Sequence, residues 1–191
     1  CTQVHGTGIA KVDGSDAGTK QTGCDGLMTD TLGLPLGLVF GDCVPVLLYD
    51  RVRNVLGVVH AGWRGTVNGA AAALLWAMQA GYSTQPGNVC ACIGPSIGPA
   101  SYAVGDEVLQ MAQARLPNAD DLFTWPQGHD ANPHFDLWRA NASQLEAEGV
   151  PAAQIEIAAI DTAQTTNDFF SHRAEHGRCG LFMMVAWLEG R

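Results

Sequence analysis

Short, uninterrupted apolar runs separated by glycine constrain the fold of this chain more than any other feature of its sequence. The chain has 23 glycines among 191 residues, and most of them stand between apolar runs that are shorter than a typical helix. Runs of this length that end at turn residues predict β-strands. The predicted strands are residues 36–40, 44–49, 55–60, 89–93, 155–160 and 181–187. Most runs are continuous rather than alternating, which predicts that both faces of the sheet are covered.

Three segments show a helical spacing of apolar residues instead. They are residues 66–80, 105–116 and 135–148. Thr66 is suited to cap the first of these helices, and Gly81 is suited to end it. The predicted strands and helices are interleaved without a regular βα alternation. We therefore expect a mixed α/β (α+β) fold, a single domain over residues 1–191 in which helices flank layered mixed β-sheets.

Charge and length narrow the classes of function. Acidic residues number 19 against 10 Lys and Arg, and the net charge of −9 disfavours a nucleic-acid partner. The apolar runs are far shorter than the roughly 20 residues that a membrane helix needs, so we expect a soluble protein with no membrane partner. Six cysteines are too few for a disulfide scaffold, which favours a reducing, cytoplasmic location. The chain begins at Cys1 rather than Met, and we expect an N-terminal segment to be missing.

Three side chains suited to metal binding stand where predicted strands meet turns: His5, Cys43 and His60. If strands 44–49 and 55–60 are antiparallel neighbours, Cys43 and His60 lie side by side. Two imidazoles and one thiolate suit zinc and leave a fourth position open, as a catalytic site requires. Zinc there polarises a substrate oxygen or lowers the pKa of a bound water to about 7. The same ligands suit copper, and the spacing alone also fits a core thiol and a hydrogen-bonded histidine.

Two further segments carry groups that suit an anion or a flat ligand. Arg64 lies in the segment His-Ala-Gly-Trp-Arg-Gly, next to a predicted helix start whose free N–H groups attract anions. An arginine on a solvated turn is the alternative interpretation. Near the C-terminus, Phe169 and Phe170 stand just before Ser171, and Arg173 follows. The two aromatic rings either stack on a flat base or pack in the core.

Taken together, these segments resemble one family of bacterial proteins. The matching residues are 3–6, 42–45, 60–65, 93–95, 135–137 and 169–171. The family comprises proteins once called multicopper polyphenol oxidases or laccase-domain proteins, now regarded as zinc-dependent purine nucleoside phosphorylases with adenosine deaminase activity. The resemblance covers almost the whole chain and implies a YfiH-like fold, which is similar to that of a toxin deamidase.

The resemblance also implies a metal site and a reaction. It implies that His5, Cys43 and His60 hold the metal, with zinc as the cofactor and copper as the alternative. The implied reaction is phosphorolysis of adenosine, inosine, guanosine or methylthioadenosine to the base and the sugar 1-phosphate, with adenosine deamination as a side activity. The implied partners are therefore a small purine nucleoside and phosphate.

Contacts to the substrate follow from the same resemblance. We expect Arg64 to contact the anion, and we expect Arg173, Ser171 and Phe170 to bind the substrate. The run that the family has as Phe-Ser-Tyr-Arg-Arg reads Phe-Ser-His-Arg-Ala here. This chain therefore lacks the second arginine of the run, and its anion contacts are expected to differ from those of the family.

Three other functions fit parts of the pattern. A copper-dependent polyphenol oxidase fits the older family name, but the chain has six histidines and no His-x-His pair, so one chain cannot build a four-copper laccase centre. A metal-free hydrolase would use Cys43 as the nucleophile and His60 as the base. A non-catalytic binding module stabilised by zinc would turn over no nucleoside and would melt on chelation.

Overall fold

The structure is a computed structural model that describes residues 1–190. Its strands are β1 (Ile9–Lys11), β2 (Gly26–Thr29), β3 (Leu36–Phe40), β4 (Val44–Asp50), β5 (Val55–Ala61), β6 (Val89–Ile93), β7 (Phe123–Thr124), β8 (His134–Phe135), β9 (Ile155–Ile157) and β10 (Phe182–Ala186). Its α-helices are α1 (Trp63–Val67), α2 (Ala70–Tyr82), α3 (Asp106–Arg115) and α4 (Leu137–Ala147). Within these 190 residues, every helix is too short or too polar to cross a lipid bilayer.

A six-stranded mixed sheet forms the centre of the fold, in the order β1-β2-β5-β4-β6-β9. Its two outer pairs, β1 with β2 and β6 with β9, are parallel, and the inner pairs are antiparallel. Strands β3 and β10 form a separate antiparallel pair, as do β7 and β8. The predicted mixed α/β class, with layered sheets and flanking helices, is confirmed.

Two hydrophobic cores cover the two faces of the central sheet. The larger core packs helices α2 and α4 against one face, with Leu74, Met78 and Leu145 fully buried. The smaller core joins β3 to the opposite face through side chains such as Leu38 and Phe40. Strand β5 is therefore buried at every position, which explains its uninterrupted apolar sequence.

The predicted strands match the structure at their cores and differ at some ends. The predictions for 36–40 and 89–93 coincide with β3 and β6, and those for 44–49 and 55–60 each fall one residue short. The prediction for 155–160 is wrong beyond Ile157, because Ala159 has a left-handed backbone with φ of 52° that turns the chain. The short strands β1, β2, β7 and β8 were not predicted, since they have too few residues for a clear pattern.

The prediction of one helix over 66–80 is wrong. Gly69 has a left-handed backbone with φ of 84° and separates α1 from α2, so Thr66 lies inside α1 rather than at a cap. Gly81 lies inside α2 rather than at its end, and it packs closely on β2, where a Cβ atom would lie 2.9 Å from the Met28 methyl group. Helix α2 ends instead at Tyr82, followed by a left-handed Ser83. The other two predicted helices are observed, each one or two residues shorter at its ends.

Candidate metal centre

The ends of two antiparallel strands bring Cys43 and His60 together. Cys43 immediately precedes β4, and His60 is paired with Pro45 near the end of β5. His5 reaches the same point from the loop that precedes β1. One nitrogen of each imidazole and the Cys43 Sγ all lie within 4.8 Å of one another. We refer to these three residues as the triad.

The surroundings of His60 favour a neutral imidazole. Burial lowers the pKa of His60, and the neighbouring His5 lowers it further, while Asp25 acts in the opposite direction. The His60 side chain packs near the ring of Phe40, with ring centroids 5.6 Å apart. Neutral imidazole is the form that binds metals, so burial prepares this residue for coordination.

Cys43 lies in an environment that disfavours a free thiolate. Burial and, to a smaller extent, the carboxylates of Asp42 and Asp25 together raise the pKa of the Cys43 thiol to about 12. Nucleophilic cysteines have the opposite property, a lowered pKa next to cationic groups. The arrangement therefore gives no sign of a thiolate activated by the protein alone.

A glycine forms the floor beneath the triad. A Cβ atom at Gly62 would lie 3.0 Å from Cys43 Sγ and 3.0 Å from His5 Cδ2. Contacts this short are tighter than side chains normally make, so a side chain at position 62 would crowd Cys43 and His5. The converging donors, two imidazole nitrogens and one sulfur, fit a zinc ion with an open fourth position. Among residues 1–190, this is the one group of three or more His, Cys, Asp or Glu side chains whose ligand atoms lie this close.

The triad lines a cavity of about 670 Å³. Three cationic side chains also line it, Lys20, Arg64 and Arg173, and we refer to them as the cationic rim. Asp42 is the sole carboxylate among the lining residues. Because the chain as a whole carries a net charge of −9, this local excess of positive charge marks a place for an anion.

Asp42 links the triad to the cationic rim through hydrogen bonds. Its carboxylate accepts a hydrogen bond from the Thr162 hydroxyl at 2.7 Å and another from the backbone N–H of Arg173 at 2.7 Å. Its own backbone is left-handed, with φ of 79°, and its carbonyl accepts from the Ile97 N–H at 2.9 Å. Asp42 is next to Cys43 in the chain. Its buried carboxylate therefore sets the position of the loop that carries Arg173 relative to the triad.

The two arginines of the rim are held differently. The Arg173 guanidinium donates to the Ala103 carbonyl at 2.9 Å and lies over the Tyr102 ring at 5.2 Å. Arg64 lies over the Trp63 ring at 4.2 Å and is 3.7 Å from the carboxylate of Glu107, with both charged side chains more than half exposed. Arg64 lies within α1, which begins at Trp63, rather than before the helix as the sequence predicted.

Ser171 and Phe170, two of the predicted substrate contacts, do not line the cavity. Ser171 is fully buried, and its hydroxyl accepts a hydrogen bond from the backbone N–H of Ala174 at 3.1 Å, which stabilises the turn that carries Arg173. Phe170 is exposed beside Gly180, and Phe169 packs edge-on against Phe182. Phe169 therefore favours the packing alternative, whereas Phe170 neither packs in the core nor lines the cavity.

The structure adds aromatic lining residues that sequence reasoning missed. Trp63 and Tyr102 line the cavity, and His172 lies there in place of the tyrosine of the family run. Burial raises the pKa of the Tyr102 phenol, so the ring is neutral. The segment His-Ala-Gly-Trp-Arg-Gly contains Trp63 and could have indicated it, whereas Tyr102 lies in a loop with no recognisable motif.

Comparisons with known proteins agree with this geometry. The chain is 38% identical over 198 residues to the purine nucleoside phosphorylase YlmD of Geobacillus stearothermophilus, and the match covers all of this chain and 71% of that protein. It is 36% identical over 151 residues to adenosine deaminase RL5 of an unknown prokaryotic organism, covering 79% of this chain and 57% of that protein.

The fold agrees as well. The crystal structure of YlmD from Geobacillus stearothermophilus superimposes with a TM-score of 0.93 and 36% identity, over all of this chain and 73% of that one. The family model described as "Multi-copper polyphenol oxidoreductase laccase" matches residues 1–189. The chain therefore belongs to this laccase-like family.

Proposed function

We propose that the protein catalyses the zinc-dependent phosphorolysis of purine nucleosides. One observation carries the proposal: the triad opens into a cavity that also holds three cations and two aromatic rings. A metal site alone fits many reactions, and a cationic pocket alone fits many anions. Their combination in one cavity matches a reaction between phosphate and a flat, neutral nucleoside, and relatives carry the corresponding name.

The cationic rim binds the phosphate. Arg173 is held by a backbone carbonyl and an aromatic ring, so its guanidinium is positioned before the anion arrives. Arg64 and Lys20 are exposed and add charge at the mouth of the cavity. A fixed, forked donor beside flexible cations suits phosphate, because guanidinium groups bind phosphate oxygens through two parallel hydrogen bonds.

The aromatic lining binds the base. Trp63 and Tyr102 offer flat apolar surfaces within the same cavity. Purine rings stack on such surfaces, and the neutral Tyr102 phenol adds a hydrogen-bonding group. We expect the cavity to accept adenosine, inosine, guanosine and methylthioadenosine, because it is large and presents few groups that would reject one purine.

The reaction exchanges one bond at the anomeric carbon of the sugar. A phosphate oxygen forms a bond to that carbon, the bond to the base nitrogen breaks, and the base leaves with the electron pair and takes up a proton. When zinc is bound to the triad it supplies a Lewis acid that polarises a substrate oxygen. The protein's own groups orient the phosphate on the rim and hold the base on the aromatic wall, which brings the reacting atoms together.

A product assay tests the proposal. Inosine is incubated with the full chain with and without phosphate, and the base and sugar 1-phosphate are separated by chromatography. We expect products only when phosphate is present, loss of activity with a chelator, and recovery with added zinc. Cys43→Ala should lose several orders of magnitude in rate, because a methyl group cannot replace a ligand thiolate.

Cys90→Ala is the matched control for that variant. Cys90 is also half-buried, and it lies on β6, outside the cavity lining. We expect it to keep wild-type turnover. Equal rates for wild type and Cys43→Ala would contradict the proposal.

Adenosine deamination is the second candidate, favoured by the 36% identity to a protein named adenosine deaminase RL5. Water replaces the amino group at C6 of the purine, and ammonia is released. The same assay with adenosine but without phosphate distinguishes it, because deamination yields inosine and leaves the glycosidic bond intact. Both activities should disappear together in Cys43→Ala if they share the triad.

The other functions considered from the sequence give different results in the same assays. A copper-dependent polyphenol oxidase would oxidise phenols with copper bound at the triad. A metal-free hydrolase would keep its activity with a chelator. A zinc-stabilised binding module would unfold on chelation and release no base at any phosphate concentration.

A further inference from the structure

A buried carboxylate outside the triad holds two of its members. Asp25 is fully buried, just before β2, and lies in none of the motifs that identify the site. Its carboxylate accepts hydrogen bonds from three consecutive backbone N–H groups, those of Val4 at 3.2 Å, His5 at 2.9 Å and Gly6 at 2.7 Å. The loop that carries His5 therefore wraps around this single side chain.

The same carboxylate contacts the second imidazole. Asp25 Oδ1 is 3.1 Å from His60 Nδ1, and the Asp25 backbone carbonyl accepts from the His60 N–H at 2.8 Å. The same oxygen accepts the backbone N–H of His5, and its contact with the ring is a hydrogen bond when His60 Nδ1 is the donor. Nε2 is then the ring nitrogen with a free lone pair for a metal.

The backbone at His5 shows why this support is needed. His5 has a left-handed conformation with φ of 59°, which is unfavourable for a residue with a side chain. The hydrogen bonds from the three successive N–H groups to Asp25 compensate for that strain. Without them the loop would relax, and the His5 ring would leave the triad.

We propose that Asp25 is a positioning residue of the metal centre, which holds both the His5 loop and the His60 ring in place through hydrogen bonds. The inference rests on the proposed function only in assigning a metal to the triad. Its tests measure metal binding and not turnover, so a protein that binds zinc through this arrangement but does not cleave nucleosides would refute the proposed function alone.

The first test compares two buried aspartates. Asp50 is also fully buried, and its carboxylate accepts from two backbone N–H groups, those of Val52 and Arg53, but it lies at the far end of β4 from Cys43. Asp25→Asn and Asp50→Asn make the same chemical change. Zinc affinity is measured on the full chain by competition with a chromogenic chelator, and apo-protein stability by thermal unfolding.

We expect Asp25→Asn to weaken zinc binding by about 10- to 100-fold, because loss of a carboxylate behind a ligating histidine has effects of this size. Asp50→Asn should lower the melting temperature while leaving zinc affinity within about twofold of wild type. Equal zinc affinities of the two variants would overturn the inference, as would a wild-type chain with no measurable zinc affinity.

A second test uses the wild-type chain and does not depend on whether a variant folds. Nitrogen-15 NMR of the histidine rings in the metal-free protein reports which nitrogen of each ring is protonated. We expect a proton on His60 Nδ1, the ring nitrogen that faces Asp25. A His60 ring protonated on Nε2 alone would overturn the inference, because Asp25 could not then be its hydrogen-bond partner.

Discussion

The metal centre and the cationic rim of the cavity are built differently. At the metal end, His60 and Cys43 are set by paired strands and buried surroundings. The cationic rim consists instead of exposed side chains from loops and from the five-residue helix α1. Two of the three metal-binding side chains are therefore positioned by the sheet, while the rim depends on a few hydrogen bonds and ring contacts. Substitutions at the metal centre should consequently change metal binding, whereas substitutions in the rim should change the KM for phosphate.

The largest effect is expected from removing a triad member. His5→Ala should lose the metal and several orders of magnitude in turnover, because two ligands do not hold zinc firmly. Metal content and phosphorolysis rate are measured together. His129→Ala is the control, since His129 is exposed and outside the cavity lining, and it should match wild type in both measurements.

A smaller effect at the metal centre is expected for Gly62→Ala. The new Cβ atom would lie 3.0 Å from both Cys43 Sγ and His5 Cδ2 and would push these ligands apart. We expect zinc affinity to fall by about 10- to 100-fold, as for other disturbances around ligands. Gly87→Ala places a methyl group in open space, with no atom within 4 Å, and should leave the affinity unchanged. Equal zinc affinities of Gly62→Ala and wild type would show that the triad tolerates a methyl group at position 62.

Arg173→Ala tests the rim. Loss of a charged hydrogen-bonding partner should raise the KM for phosphate by about 10- to 100-fold. Zinc content should stay at the wild-type level, because Arg173 contacts backbone carbonyls and Tyr102 rather than the triad. Arg178→Ala, an exposed arginine of the same segment outside the cavity lining, is the control. A loss of metal in Arg173→Ala would contradict the prediction that substitutions in the rim leave metal binding unchanged.

The smallest effect is expected for Glu107→Gln. Glu107 lies 3.7 Å from Arg64, and both side chains are more than half exposed, so their attraction is weak. Removing the negative charge should free Arg64 to bind phosphate and should lower the KM for phosphate by about two- to fivefold. Steady-state kinetics at low salt measures this change. An increase in KM would indicate that Glu107 positions Arg64 instead of competing for it.

The same comparison explains what the sequence could predict. The apolar runs predicted β3 to β6 well, because none of their residues is exposed and β5 is buried at every position. The pairing of β4 with β5 then placed Cys43 beside His60, as the spacing suggested. The rim was harder to predict, because exposed loop residues are positioned by contacts that leave no periodic pattern.

Particular residues show where sequence reasoning fails. Asp25 and Tyr102 belong to no motif, yet one contacts His60 and the other lines the cavity. Gly69 and Gly81 are both glycines, but Gly69 adopts a left-handed backbone between two helices and Gly81 lies inside α2 against Met28. Ser171 lies within a recognisable segment, but its hydroxyl stabilises a turn.

The most direct test of the account is the metal content of the purified full chain, determined by mass spectrometry for wild type and Cys43→Ala. The account predicts about one zinc ion per wild-type chain and almost none in the variant. Zinc bound equally by both proteins, or a wild-type chain that takes up no metal from a zinc-containing buffer, would contradict it.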